Sequence, residues 1–360
     1  MSDPHDKEVV VSGAAGLGAA VATESGTALG DLGDIQARGY WELVWIRFKR
    51  DKVAIVSGIF IILLIITVFA GAPIAKKLIG HGPDDIFPGT NAISAAQLPA
   101  GPWTWVTYDA TIPDPPYLES RKDLFVLGAS DQLGRDEFLR LLYGGQVSLE
   151  VAVLSTIGVM IIGVILGSIA GYFRGWSDTV ISRVTEITMA FPALLFIIAL
   201  AATIGPRLDN ITFGVFGRGV MTLVLIFTIF GWFYPARIMR AQVLSIREKE
   251  YIEAARMVGA SDGRIIRSHV LPHLVAPIIV FSTLIVASYI LAEAGLSFLG
   301  LGIKEPTASW GKLLQVAPNY YTTQPWLMLW PGLAVLFTTL AFNLLGDGLR
   351  DAFDPRAAHR

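Results

Sequence analysis

The sequence predicts an all-α membrane protein with six transmembrane helices, and three observations carry that prediction. Of its 360 residues 53% are hydrophobic and only 16% charged, with a mean hydropathy of +0.56; a water-soluble domain carries about a quarter charged residues. The apolar residues gather into stretches about long enough, as helices, to cross a hydrocarbon core of ~30 Å. Lys and Arg flank those stretches on alternate sides, as they do where cytoplasmic loops hold the positive residues.

Residues 1–45 are rich in Gly, Ala, Ser, Thr and Asp and lack the basic start and Leu-rich core of a signal peptide, so they read as a disordered cytoplasmic tail. The first transmembrane helix is assigned to 46–72: Arg47, Lys49, Arg50 and Lys52 precede an uncharged run over 53–72. Segment 73–146 reads as an extracytoplasmic loop, Pro-rich and aromatic at Pro102, Trp103, Trp105, Pro113, Pro115, Pro116 and Tyr117, and therefore irregular. A core over 147–350 holds the remaining apolar stretches, at 147–173, 184–205, 220–235, 274–299 and 326–345, and 351–360 forms a cytoplasmic C-terminal tail.

The charges test this order. Arg174 and Arg183 lie between the second and third stretches; Arg237, Arg240, Arg247, Lys249, Arg256, Arg264 and Arg267 lie between the fourth and fifth; Arg350 and Arg356 follow the sixth. The opposite side holds only Arg207, Arg218, Lys304 and Lys312 outside the long loop, and long loops translocate largely regardless of charge. Both termini are thereby expected in the cytoplasm.

The polar loop 236–273, between the fourth and fifth stretches, is too long for a simple turn. Its pattern predicts a helix over 247–258 that ends at Gly259, whose missing Cβ suits a left-handed position, and a second helix N-capped by Ser261. Ala254, Ala255, Gly259 and Ala260 give this elbow a small-residue face that lets a backbone sit close in a partner's groove, with Glu253 and Arg256 at the rim. The competing reading is an amphipathic helix on lipid headgroups, which would need a bulkier apolar face.

Glu253-Ala254-Ala255, then Gly259, then His269-Val270-Leu271-Pro272 resembles the EAA loop of ABC importer permeases, with His269 where the commonest pattern has Ile. Further stretches resemble the C-type permease subunit of the dipeptide and oligopeptide (peptide/nickel) importers. They include Leu133-Gly134-Arg135-Asp136, Ala190-Phe191-Pro192, the run from Ala292 to Gly302, Ser309-Trp310-Gly311 and the run from Asn343 to Asp351. The resemblance implies a type I ABC importer permease fold in a bacterial or archaeal plasma (inner) membrane, with the elbow as a coupling helix. It implies as partners a second permease subunit in a heterodimer, two ATPase subunits and an extracytoplasmic solute-binding protein. It implies a peptide as the solute, with an oligosaccharide or a nickel chelate as the alternative.

No Gly-x-x-x-x-Gly-Lys-Ser/Thr run occurs, so the chain is expected to be non-catalytic and without cofactor, ATP and Mg being bound by the ATPase partners. A net charge of −2 with pI near 6.2 gives no global basic field for nucleic acid, leaving membrane lipid as the surrounding partner. Absence of cysteine removes disulfides and thiolate chemistry. Gly259-Ala260-Ser261-Asp262-Gly263 matches the Gly-x-Ser-x-Gly pattern, but a nucleophile elbow needs a strand before its serine and here a helix precedes. His269 and His273 have a metal-binding spacing, yet Pro272 intervenes and no third ligand is evident, so no metal is expected.

Within the spans, Gly163, Gly167 and Gly171 recur every fourth residue and predict a close helix contact, either fixed or sliding. Glu150, Glu186 and Glu293 are carboxylates in or near spans, where charge is costly unless it faces protein or water. Glu186 is expected to pair with Arg183, and Glu293, Glu186 and Pro192 are the candidates for lining the pathway or gate. Pro192 and Pro331 are expected to bend their helices. A self-sufficient secondary transporter would show internal repeats, which the sequence lacks.

Overall fold

A computed structural model describes residues 39–87, 90–107, 122–212 and 219–354. Most of the expected tail 1–45, part of the outer loop, Arg218 and Arg356 lie outside the described residues.

Helix α1 (Tyr40–Arg50) exposes Tyr40, Trp41, Leu43 and Trp45 and ends in Arg47, Lys49 and Arg50. Helix α2 (Lys52–Ile79) starts where Asp51 Oδ1 accepts the backbone N–H groups of Val53 (2.9 Å) and Ala54 (3.1 Å), which leaves two of the orphan donors of a helix start satisfied. It includes a π-helical turn at Thr67–Gly71 and continues past the expected end at residue 72 to Gly80, whose φ of +89° closes it. Val56, Ile62 and Leu63 stay exposed on α2, which is costly in water and favourable against lipid tails.

Beyond α2, strands β1 (Thr104–Thr107) and β2 (Lys122–Phe125) pair antiparallel with Thr104 opposite Phe125. Phe87, Ala92, Val106, Phe125 and Ala129 form a small core of their own here. Helix α3 (Glu137–Phe173) is capped by Asp136, whose Oδ1 accepts from Phe138 N (2.8 Å) and Leu139 N (3.2 Å). Its 37 residues rise about 55 Å, well beyond a ~30 Å hydrocarbon core. It therefore begins well before the expected residue 147.

The expected third span is a bent pair, α4 (Gly175–Met189) and α5 (Ala193–Thr203), which meet at 83°. Pro192 causes the break: it lacks an N–H, disfavours helix at Phe191, and sits at φ −62°, ψ 105°. After α6 (Gly205–Thr212), α7 (Val220–Gly231) and α8 (Phe233–Arg247) form a second bent pair at 42°. Helix α9 (Glu250–Met257) follows, then α10 (Asp262–Phe298), with a π-helical turn at Ile266–Val270. Short α11 (Trp310–Val316) precedes α12 (Trp326–Phe353), which keeps Pro331 within its length. Among the described residues four helices are long and apolar enough to cross a membrane, or up to six spans if each bent pair is one.

Apolar clusters hold the spans together. Ile61, Leu149, Ile290, Trp310 and Phe342 join α2, α3, α10, α11 and α12. Val151, Leu223, Phe227 and Leu296 join α3, α7 and α10. Along α8, the glycines of α3 come close enough to exclude any side chain. A Cβ on Gly163 would lie 2.7 Å from Pro235 Cβ, one on Gly167 2.8 Å from Met239 Cβ, and one on Gly171 2.8 Å from Val243 Cβ.

Candidate functional site

The elbow between the fourth and fifth spans is built from its buried side outward. Helix α9 has only eight residues, too few to be stable alone, so its position is set by what it packs on. Ile252 and Ile265 are fully buried and meet Tyr172 of α3, Met239, Val243 and Ile246 of α8, and Val270 and Leu274 of α10. Three spans thus converge behind one short helix.

The turn after α9 is a glycine turn. Gly259 adopts φ +85°, its N–H reaches Arg256 O (2.9 Å), and Ala260 N–H reaches Ala255 O (3.0 Å), which satisfies carbonyls left open by the helix end. A Cβ on Gly259 or Gly263 would meet nothing within 4 Å, so these two glycines are not needed for internal packing, whereas Ala255 and Ala260 pack on the cluster behind the elbow. Ser261 occupies the N-cap position of α10 and its carbonyl accepts from Ile265 N (3.0 Å), but its hydroxyl makes no cap bond, contrary to expectation.

Glu253, Ala254, Arg256, Gly259 and Ser261 are exposed, with Ala255 and Ala260 half-buried. Beside Ala and Gly, this face carries Met257 and Val258, which are 80% and 89% exposed at its tip. A bare apolar pair of this kind, rimmed by charge, is suited to a protein groove. Glu248 pairs with Arg174 from the end of α3 at the foot of the elbow. His273 Nδ1 donates to the His269 carbonyl (2.6 Å), and its ring stacks on Tyr251 at 5.7 Å.

The pathway candidates separate. Glu186 is exposed and pairs with Arg183 at 2.8 Å. Both line an open cleft of about 630 Å³ between α4 and α8, with Asp178, Met189, Arg237 and Arg240; across it Arg240 holds Asp178 through two hydrogen bonds, that of Nη2 to Oδ2 measuring 2.7 Å. Pro192 is exposed at the bend beyond. Glu293 is fully buried within the chain. Ser148 Oγ donates to its Oε2 (2.8 Å) and Ser297 Oγ to its Oε1 (2.6 Å). Those hydroxyls in turn accept Trp310 N–H (3.2 Å) and Ile303 N–H (3.0 Å). The carboxylate is a bracket joining α3, α10 and α11, which satisfies the rule that a charge inside a span must face protein.

Sequence reasoning missed a charged network around the start of α3. Arg135 bonds Glu305 at 2.6 Å and also Asp131, and Arg140 bonds Asp84 at 2.9 Å. His81 lies between Asp123 (3.3 Å) and Asp136 (3.1 Å). Half-burial pushes the Glu305 carboxyl up, but the Arg135 hydrogen bond and the charges of Arg135, Arg140 and Lys312 prevail and hold it below its usual range. Burial raises the Asp84 carboxyl in spite of Arg140 and Arg135. The one signal in the sequence was charge density just ahead of an apolar run, from Asp131 to Arg140.

The family model for the inner membrane component of binding-protein-dependent transport systems matches residues 163–359, which include the elbow, and the model for the N-terminal transmembrane domain of oligopeptide transport permease C matches 39–99. The chain belongs to the binding-protein-dependent transport permeases. The resemblance read from the elbow motif is therefore borne out. This permease is 42% identical over 227 residues to a dipeptide transport system permease protein of Alkalihalophilus pseudofirmus, across 63% of its own length and 71% of that relative. It is 36% identical over 323 residues to a glutathione transport system permease protein of Pectobacterium atrosepticum, across 90% and 93%. Among solved structures, an inward-facing methionine ABC transporter chain is similar at a TM-score of 0.45 and 16% identity, across 60% of this permease and 97% of that chain. As an inner membrane component, the permease is a helical membrane protein whose family works with a binding protein.

Proposed function

We propose that this permease forms half of the translocation pathway of an ATP-driven peptide importer, and that its elbow is the point at which separate ATPase subunits deliver force. The single observation behind this reading is the elbow itself. A short helix with an outward apolar tip and small-residue face rests on a cluster that joins α3, α8 and α10. A groove that receives Met257, Val258 and the Gly259 turn, with Glu253 and Arg256 in charged contact at its rim, moves three spans when it moves the elbow. Docking by exposed apolar residues beside small ones fits a mobile contact better than a lipid surface, because the rim carries both charge signs.

A second permease subunit completes the pathway as a heterodimer, an extracytoplasmic binding protein delivers the solute, and ATP with Mg is bound and hydrolysed by the ATPase partners. Peptides are proposed as solute because the relatives described above are named for dipeptide and glutathione transport. The cleft beside Glu186, with charged groups of both signs, supplies a pathway surface suited to zwitterions. The tight fit of Gly163, Gly167 and Gly171 on α8 favours α3 and α8 moving as one body, not sliding.

The test is uptake and ATP hydrolysis in vesicles that carry the assembled importer. Gly259→Asp and Glu253→Lys are expected to abolish transport and its link to ATP hydrolysis while the permease still inserts in the membrane. Normal uptake by both variants would overturn the docking assignment.

A further inference from the structure

Behind the elbow one side chain has more directional contacts than packing requires. Tyr172, in the last turn of α3, is 2% exposed. Its hydroxyl donates to Asp262 Oδ1 at 2.6 Å, and the guanidinium carbons of Arg256 and Arg247 lie over its ring at 5.3 and 5.8 Å from the centroid. Asp262 opens α10, Arg256 belongs to α9, and Arg247 closes α8. A single ring therefore touches each element from which the elbow is made.

The apolar contacts of Ile252 and Ile265 hold α9 down but do not fix its angle, because burial is non-directional. A hydrogen bond to a carboxylate and a cation over a ring face are directional. Helix α9 is also short, so a push on its tip rolls it unless something resists. We propose that Tyr172 is a positioning residue that locks the elbow to the end of α3, so that force on α9 turns α3 and α10 together instead of rolling the elbow. This inference rests on the coupling reading above. The bland reading is a tyrosine filling a core site, and Phe separates the two because it keeps the ring and its volume and removes only the hydroxyl.

The chain has no cysteine, so with partner subunits freed of cysteine Glu250→Cys on α9 and Ile165→Cys, exposed on α3, accept a single pair of nitroxide labels for pulsed distance measurement in the purified importer complex. Vesicles with the same complex report trialanine uptake per ATP hydrolysed. In Tyr172→Phe the distance distribution is expected to broaden about twofold, and uptake per ATP to fall about tenfold, the factor one charge-assisted hydrogen bond carries. The amount of ATPase that copurifies should stay constant. Asp262→Ala should reproduce the effect, Asp262→Asn should lose only about threefold because its amide oxygen still accepts a neutral bond of about half the strength, and the double variant Tyr172→Phe/Asp262→Ala should be no worse than either single one. Unchanged width and ratio in Tyr172→Phe, or additive losses in the double variant, overturn the clamp. Retained coupling in Gly259→Asp overturns instead the docking reading on which it rests, so the two failures are told apart.

Discussion

At the scale of the residue, Gly259 and Gly263 make a matched pair. Both are exposed with open space around a notional Cβ, but only Gly259 has a positive φ, of +85°. Gly259→Ala should therefore cost about 1–2 kcal/mol of left-handed strain and impair coupling measured as uptake per ATP, while Gly263→Ala should leave uptake unchanged. Equal effects would show that strain is not what the turn requires. Glu293 makes the complementary case of a residue whose meaning the sequence concealed. Its type and depth in the fifth span were evident, but whether it faced a pathway or its own chain depended on Ser148 and Ser309-Trp310, far away in sequence. Glu293→Leu leaves the hydroxyls of Ser148 and Ser297 without their acceptor, at a cost of about 1–3 kcal/mol. It should lower the melting temperature of the detergent-purified protein by several degrees, with Glu293→Gln much milder. A milder or neutral Leu variant would remove the bracket role.

At the scale of the element, the α3–α8 contact depends on three glycines in register. A Cβ on Gly167 would already lie 2.8 Å from Met239 Cβ and 3.1 Å from Arg240 N, so Gly167→Leu should part the helices and leave α9 without its support. The expected outcome is a permease that inserts but no longer retains ATPase subunits on purification; retention at the normal level would contradict it. This stripe and the turn at Gly259 were legible because each follows from a short-range rule, a spacing of four or a missing Cβ. Element ends were not. Helix α3 begins at Glu137, ahead of the apolar run, because Arg140 finds Asp84 and Asp136 caps the first turn; a hydropathy reading stops at charges whose partners lie far along the chain. The third span was read as one helix bent at Pro192, whereas the break is 83°. Sequence indicates that a proline bends a helix and does not indicate by how much, since the angle is set by what each half packs on.

At the scale of the whole molecule, the charged network at the start of α3 ties the segment before it to the loop between α10 and α11. Arg135 holds the Glu305 carboxyl below its ordinary value of 4.5, half-burial opposing but not prevailing. A carboxyl depressed on folding contributes stability above its unfolded value and loses it as pH falls through the lower folded one. Wild type should thus melt above Glu305→Gln at neutral pH, and the gap should close on acidification below about 4.5; a gap that widens would reverse the sign. The larger claim is that the elbow faces a separate motor protein. A single cysteine at residue 257, unique in a cysteine-free chain, tests it most directly. In inside-out membrane vesicles a membrane-impermeant thiol reagent should label this cysteine when the permease pair is expressed alone, and ATPase subunits should protect it when they are assembled. Labelling only from the opposite face of the membrane, or equal labelling with and without the ATPase subunits, would contradict the account.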